Sequence, residues 1–225
     1  MGPSLRPDLE EAHASAVNSL VSAGSWWSAR DRRALAVTAA RAMWTDEPLA
    51  PWATDDDTLT WLGSGAEDIP VAAHRAAARM ARHSSTLTRD WYLRTCDELG
   101  ELPYVELVGI VCVVAATTSL RRCLGIPDTE LDSEAHGDAL RDPSPPLAAA
   151  TLNWVPVAEP ADARAAVVQA LTAVPRSHAD LWRLADAQYI PDAEMVDPQW
   201  TRGTLTRPEM ELVAVTVSAG RECHY

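Results

Sequence analysis

The feature that most constrains this fold is one long apolar segment, Tyr104 to Leu124, near the middle of the chain. Pro103 is predicted to open this helix at its first position, N1, and Gly125 is predicted to end it. It is the most hydrophobic helical pattern in the chain, so we predict that it lies at the centre of the fold. Its longest uninterrupted apolar stretch, Leu107 to Ala116, is shorter than the roughly 20 residues that span a bilayer, so we expect no membrane partner.

Helical periodicity also dominates the rest of the first half. Four further helices are predicted there: Leu9–Val21, Ala29–Trp44, Val71–His83, and one capped by Thr86 or Thr88 that runs to about Leu99. Ser28, with Asp31 three residues later, is a variant of the capping box that starts helices. We therefore predict an all-α protein.

Residues 126–160 are different in composition. They contain six prolines and, between Asp128 and Asp142, six acidic residues. Proline removes backbone donors and like charges extend a chain, so this segment is predicted to be a linker or a surface-hugging loop. We accordingly divide the chain into residues 1–126, a linker over 127–160, and residues 161–225. In the last part the patterns predict these helices: Ala165–Val174, Ser177–Tyr189 and, after a loop, Leu205–Glu222 with Thr206 as its N-cap.

The composition argues against several classes of function. The net charge of −13 repels phosphate backbones, so we expect no nucleic-acid partner. The absence of lysine excludes Schiff-base chemistry, pyridoxal-phosphate attachment and a Walker phosphate loop. No zinc-ligand spacing is found, and we predict neither a metal site nor a cofactor.

The N-terminal residues and the cysteines bear on the cellular compartment. Asp8, Glu10 and Glu11 lie where a secretory signal peptide would be apolar. Four cysteines in 225 residues do not make a disulfide framework, so we expect free thiols in a reducing compartment. A cytoplasmic location is the resulting expectation.

The last predicted helix repeats features of the helix over Ala29–Trp44. At one constant offset Ala36–Thr38 coincides with Ala214–Thr216, and Ser28 coincides with Thr206. The first copy has no counterpart of Glu211 or Cys223. We therefore predict a duplicated helical fold whose first copy is degenerate.

The segment from Leu205 to Tyr225, LTRPEMELVAVTVSAGRECHY, resembles the carboxymuconolactone decarboxylase and alkylhydroperoxidase-D-like superfamily, which is all-α and often duplicated. Members carry a glutamate early on this helix and a cysteine twelve residues later, as Glu211 and Cys223 do here. A second cysteine three residues on and a following histidine are expected beyond Tyr225, so the second copy is predicted to be incomplete here. Parts of the first half are similar to the degenerate copy of two-domain members: Gly24–Arg32, His74-Arg75, Leu87–Tyr92 and Tyr104–Gly109.

This resemblance implies a thiol-dependent hydroperoxide reductase. A cysteine thiolate attacks the peroxide, becomes a sulfenic acid and condenses with a second thiol, and a thiol reductant reopens the disulfide. The implied partners are a small hydroperoxide, a thiol reductant and further copies of the chain. Twelve helical residues span about 18 Å, so Glu211 needs a relay to reach Cys223, and without the second cysteine and the relay histidine we expect no turnover.

Less specific readings of the same residues stay open. Cys223 could be a plain helix-end cysteine, and Glu211 an acid favoured by the helix dipole. His224 could tune its neighbour Cys223 or be an exposed histidine. The competing functions are a non-catalytic helical scaffold or oligomer subunit and a cofactor-free decarboxylase of the same superfamily.

Several other residues are assigned structural roles. Cys112 is predicted to be a small core residue, and Cys96 and Cys123 to be structural. Glu106 is assigned to the first turn of the central helix, as a partner of its dipole rather than a buried acid, and His74 has no metal-ligand partner. The apolar face of the last helix must be covered by the first half or by another subunit: Leu212, Val213, Val215 and Val217.

Overall fold

The computed structural model describes residues 5–45, 69–131, 134–149, 154–159 and 166–220. These residues form eight α-helices and one two-stranded sheet, so the predicted all-α class is confirmed. The helices are α1 (Pro7–Leu20), α2 (Ala29–Trp44), α3 (Val71–His83), α4 (Arg89–Leu99), α5 (Glu101–Cys123), α6 (Ala166–Gln169), α7 (Pro175–Gln188) and α8 (Arg207–Gly220). Short 3-10 turns cover Ser84–Thr86 and Asp192–Glu194.

Two predicted helix starts are confirmed by their capping bonds. The Ser28 hydroxyl accepts from the Asp31 N–H at 3.1 Å, and the Asp31 carboxylate accepts from the Ser28 N–H at 3.2 Å. This reciprocal pair satisfies two backbone donors at the start of α2. At α4, Thr88 rather than Thr86 is the cap, and it accepts from the Trp91 N–H at 3.2 Å.

Helix α5 is the central element, as predicted. It packs against α1, α2, α3, α4 and α7. It ends as expected: Gly125 has a φ of +65°, and the Ile126 N–H donates to the Arg121 carbonyl at 2.9 Å, which closes the last turn. The predicted start is wrong by two residues, since the helix begins at Glu101 and Pro103 is its third residue rather than its first. Proline is tolerated there because the first four N–H groups of a helix have no intrahelical partner.

The length of α5 exceeds the apolar stretch counted from the sequence. Its 23 residues are long and apolar enough to cross a bilayer by length and composition. Of the described helices it is the one that meets this criterion, and 56% of its most apolar window is buried inside the protein. Burial against five helices therefore accounts for much of its hydrophobicity.

Small residues let the core helices approach closely. Ala36 and Ala39 of α2 and Ala73, Ala76 and Ala77 of α3 are fully buried. With no side chain beyond Cβ, alanine brings helix axes together and costs little rotamer entropy. Larger side chains fill the space above them, and the largest fully buried ones include Leu35, Leu107, Ile110 and Leu184.

The proline- and acid-rich segment lies along the helical core where it is described. The Leu140 N–H donates to the Gly24 carbonyl at 2.8 Å, and the Gly137 carbonyl accepts from the Ala29 N–H at 2.9 Å. Strands β1 (Leu147–Ala148) and β2 (Val157–Ala158) then pair antiparallel. In its described part the segment therefore follows the surface of the helical core, and the linker boundaries 127–160 stay a prediction.

The prediction of one helix over Ala165–Val174 is wrong. Helix α6 ends at Gln169, and Leu171 has a φ of +66°, which no helix accommodates. Pro175 accounts only for Val174, which has a φ of −125° and a ψ of 85°, because a proline disfavours helical geometry in the residue before it. Proline is well suited to a first turn, so α7 starts at Pro175 itself, two residues before the predicted start.

Helix α7 joins the first half in one core. It packs against α1 and α5, and Leu184 belongs to the main hydrophobic cluster. Gly109 of α5 faces it, where an added Cβ would lie 3.0 Å from Cβ of Ser177. The domain boundaries 1–126, 127–160 and 161–225 stay a prediction, but helices from both sides of the loop share buried side chains.

Candidate functional site

The predicted site residue that lies within the described chain is Glu211, on the second turn of α8. Arg207, one turn earlier, donates its Nε–H to Glu211 Oε1 at 2.6 Å. The Tyr189 hydroxyl, just after α7, donates to Glu211 Oε2 at 2.8 Å. The hydrogen bonds from Arg207 and Tyr189 lower the pKa of the Glu211 carboxyl, so it is a carboxylate at neutral pH.

The groups that hold Glu211 are themselves anchored. Arg207 also donates to the carbonyls of Met195 and Asp197 at 3.2 and 3.1 Å. Arg202 donates its Nε–H to the Tyr189 carbonyl at 3.0 Å. Burial and the neighbouring Glu211 carboxylate raise the pKa of Tyr189 to about 12, so its hydroxyl stays protonated and donates. Glu211 is thus fixed where α7, the loop after it and α8 meet.

A cleft of about 570 Å³ lies beside this junction. One wall is the apolar side of α8, with Met210, Val213 and Val217. The other carries polar groups, among them Tyr189 and Arg202. The volume is in the range of small-molecule sites, and Tyr189 links the cleft to Glu211.

The structure leaves part of the predicted site untested. Cys223 and His224 lie outside the described residues, which end at Gly220. The position of Cys223 relative to Glu211 in the folded protein therefore stays a prediction. The helix on which it depends is present, since α8 begins at Arg207 and continues to Gly220.

The cysteines within the described chain are free thiols. Burial raises the pKa of Cys112 and that of Cys96 to about 11, so both stay protonated and weakly nucleophilic at neutral pH. Tyr92 opposes the shift at Cys96 through a hydrogen bond. Cys123 is exposed at the end of α5. Cys112 is partly rather than fully buried, which still fits its predicted structural role.

The role predicted for Glu106 is wrong. Its side chain is fully buried, and Glu106 Oε1 lies 2.5 Å from Nη1 of Arg32, which is 4% exposed. Oε2 accepts from the Trp26 N–H at 2.7 Å. Because α5 begins at Glu101, Glu106 lies in the second turn, beyond the free N–H groups of the dipole. Leu102 and Ile110, four residues before and after Glu106 and hence on its face of the helix, were the signal of burial in the sequence.

Gly24 makes room for this buried pair. A Cβ on Gly24 would lie 1.8 Å from Glu106 Oε1 and 2.6 Å from Arg32 Nη1. Arg32 also donates its Nε–H to the Ser19 carbonyl at 3.1 Å. The pair therefore ties the end of α1, the loop before α2, α2 and α5 together.

His74 has a side-chain partner that the sequence did not indicate. It is 2% exposed, and its Nδ1 lies 2.8 Å from the Thr38 hydroxyl of α2. Burial lowers the pKa of the imidazole, against a weaker opposing effect from Asp31. Among the described residues, no group of three or more His, Cys, Asp or Glu side chains is placed to hold a metal ion.

Comparison of the chain with protein-family models, with curated proteins and with solved structures found no match. The resemblance carried by Leu205 to Tyr225 therefore stays a prediction.

Proposed function

We propose that this protein is a thiol-dependent hydroperoxide reductase in which Cys223 is a redox thiol and Glu211 is the outer group of its proton relay. The observation that carries the proposal is the state of Glu211. Two donors, Arg207 and Tyr189, hold it as an oriented carboxylate on the helix that leads to Cys223. A first-turn acid that served only the helix dipole would need neither of them.

The chemistry assigns a proton to each step. A thiolate attacks one peroxide oxygen, an S–O bond forms as the O–O bond breaks, and the released alkoxide takes a proton and leaves as an alcohol. A second thiol then attacks the sulfenic sulfur, which releases water and forms a disulfide. An external thiol reductant returns both sulfurs to thiols. Glu211 acts on Cys223 through an intervening relay group, because a helix continued over the twelve residues to Cys223 would separate them by about 18 Å.

The cleft beside α8 supports a small organic substrate. Its apolar wall suits the hydrocarbon part of an alkyl hydroperoxide, and the guanidinium of Arg202 offers N–H donors to the peroxide oxygens. Duplication is a further part of the proposal. Two helices at equivalent positions of the predicted repeat, α2 and α8, both begin directly after the aligned residues Ser28 and Thr206. In each, the N–H of that residue donates to an acid three residues later, which supports a common origin.

The test is consumption of cumene hydroperoxide, with dithiothreitol as reductant, by the full-length gene product that contains these residues. We expect Cys223→Ser to abolish turnover and Cys123→Ser, at another helix end, to leave it unchanged. Glu211→Gln should lower kcat about a hundredfold, the scale of a lost general acid–base group. Glu209→Gln is its matched control. Full activity of Cys223→Ser would contradict the proposal.

A second candidate is a subunit of a larger helical assembly, which one observation favours. The exposed fractions of four apolar side chains on α8 are 67% for Leu212, 56% for Val213, 63% for Val215 and 60% for Val217. The first half, where it is described, does not cover this face. The sequence analysis gave two ways to cover this apolar face, the first half of the chain or another subunit, and a second copy of the chain is the second of these.

A further inference from the structure

A groove runs between α1, α2 and the C-terminal end of α5, separate from the candidate redox site. It consists of two adjoining clefts of about 540 and 600 Å³, each within the range of small-molecule sites. The clefts share Val17, Thr117, Arg121 and the segment Thr129–Leu131, so they form one continuous depression. Neither lining includes a cysteine or Glu211.

The floor and one wall of the 540 Å³ cleft are apolar and held in place. Leu20, Ala36 and Val114 on the floor are buried core residues. Trp44 forms a wall, and its indole Nε1–H donates to the Thr118 hydroxyl at 2.9 Å. The guanidinium of Arg122 lies 4.3 Å from the centre of the Trp44 ring. An apolar ligand would therefore meet a surface that needs little rearrangement.

Charge is confined to the rim. Arg41, Arg121 and Arg122 line the cleft together with Asp128 and Glu130. Arg122 forms an ion pair with Asp128, with 3.3 Å between Nη2 and Oδ2. Arg121 donates its Nε–H to the Pro127 carbonyl at 2.6 Å. Arg41 is exposed and has no ion pair or hydrogen bond to any residue that the structure describes. The rim of the 540 Å³ cleft thus carries one cation more than it has acids, while Glu10 lines the adjoining 600 Å³ cleft.

We propose that this groove binds a small amphipathic monoanion, an aliphatic carboxylate, with its head on Arg41 and its hydrocarbon body on the floor below Trp44. An arginine fork matches the geometry of a carboxylate and forms two parallel hydrogen bonds with it. The alternative head group, a phosphate dianion, fits less well. The C-terminal end of α5 carries the negative end of the helix dipole, and Asp128 and Glu130 repel a second negative charge.

The experiment is a calorimetric titration of the protein with sodium octanoate, octanol and octyl phosphate at pH 7.5. We expect saturable binding of octanoate. Octanol should bind at least about tenfold more weakly because it loses the charged hydrogen-bonded contact, and octyl phosphate should bind more weakly because its second negative charge is repelled. If octanol binds as tightly as octanoate, or if octyl phosphate binds more tightly, the carboxylate assignment is wrong.

Two variants test the position of the ligand. Arg41→Ala should weaken octanoate binding about tenfold without affecting octanol, whereas Arg94→Ala, an exposed arginine on α4, should change neither. Val37 is 44% exposed in the cleft, and Val37→Trp should fill it and abolish saturable binding. Val71, 48% exposed at the start of α3, takes the matched control substitution Val71→Trp. Circular dichroism would verify that each variant is folded.

The proposal is overturned if octanoate shows no saturable binding, or if Val37→Trp and Arg41→Ala both bind it as tightly as the unaltered protein. The outcome is independent of the redox proposal, because Cys223→Ser changes no residue of the groove and Arg41→Ala no residue of the redox site.

Discussion

Two polar side chains in the interior of this protein, Glu106 and His74, are accommodated in different ways. The buried carboxylate of Glu106 is matched by Arg32 and by the Trp26 N–H, so each of its oxygens accepts a bond. Removing one member of such a pair leaves an uncompensated charge, which costs far more than the intact pair contributes to stability. The absence of a side chain at Gly24 is part of the same arrangement, because any Cβ there would displace the carboxylate.

His74 is accommodated as a neutral ring, and its hydrogen bonds identify the tautomer. The Thr38 hydroxyl donates its one proton to the Ala34 carbonyl at 3.0 Å. It therefore accepts from His74, which places the ring proton on Nδ1. Nε2 is then an unprotonated nitrogen, buried and without a hydrogen-bond partner in the described part of the chain. Protonating Nε2 would bury an unpaired charge, which explains the lowered pKa.

This arrangement predicts a pH-dependent stability. The pKa of His74 in the folded protein lies below the ordinary value of 6.5, so the unfolded chain binds the proton first. The contribution to stability is fully present above pH 6.5 and is lost as the pH falls through the folded-state pKa. Urea unfolding at pH 7.5 and pH 5 should show a smaller pH dependence for His74→Gln than for the unaltered protein.

His13 is the control for this prediction. Burial also lowers the pKa of His13, against the opposing effect of the hydrogen bond that its Nε2–H donates to Gln188 Oε1, so His13→Gln should remove a separate part of the dependence. An unchanged pH dependence in His74→Gln would show that the His74 ring titrates as freely in the folded protein as in the unfolded chain.

At the scale of elements, α2 and α8 start alike and end in different surroundings. Both begin one residue after a hydroxyl residue whose N–H donates to an acid three residues later. Helix α2 then buries Leu35, Ala36 and Ala39, while α8 buries Met210 alone among its described side chains. The same local signal therefore starts a core helix and a peripheral one.

The caps of these helices should differ in strength. The Ser28 hydroxyl accepts from a backbone N–H, whereas the Thr206 hydroxyl donates to Glu209 at 2.8 Å. We expect Ser28→Ala to lower the free energy of unfolding by about 1 kcal/mol, and Thr206→Ala to lower it by less, because no backbone donor loses its partner there. Urea unfolding of the two variants measures both values. An equal loss at the two sites would contradict this account of the caps.

At the scale of the whole molecule, the exposed face of α8 predicts self-association. Residues 212–220 carry no charged side chain, so this face brings no like charges together in a chain of net charge −13. One chain of these 225 residues has a mass of 24.4 kDa, and we expect light scattering to give two or more times this value. The reason is that the exposed apolar surface is removed from water when copies pair. The double substitution Leu212→Glu with Val215→Glu should reduce the mass to that of the monomer.

The control is Val196→Glu, which alters a side chain that is 88% exposed and lies outside α8. It should leave the mass unchanged. A monodisperse monomer of the unaltered protein would contradict the prediction that a second copy covers this face.

The sequence was most informative where the signal was local. Periodicity and caps located α2, α3, α4 and the centre of the fold, because a helix of this length is specified by its own residues and their nearest neighbours along the chain. The same reasoning was wrong at Ala165–Val174, where the helix ends at Gln169 although the apolar pattern continues beyond it. For the candidate redox site, the sequence predicts a helix that carries Glu211 and ends directly before Cys223, and the position of Cys223 stays a prediction.

Tertiary structure decided what single patterns could not. The pairing of Glu106 with Arg32, the contact of His74 with Thr38 and the two donors on Glu211 join residues far apart in the chain. A sequence shows that an acid is present, but its partner depends on how helices pack. The sequence by itself therefore determined the helical class and the residues that start the helices. The packing of the helices determined which charges are buried, which apolar side chains of α8 stay exposed in the described part of the chain, and where the groove lies.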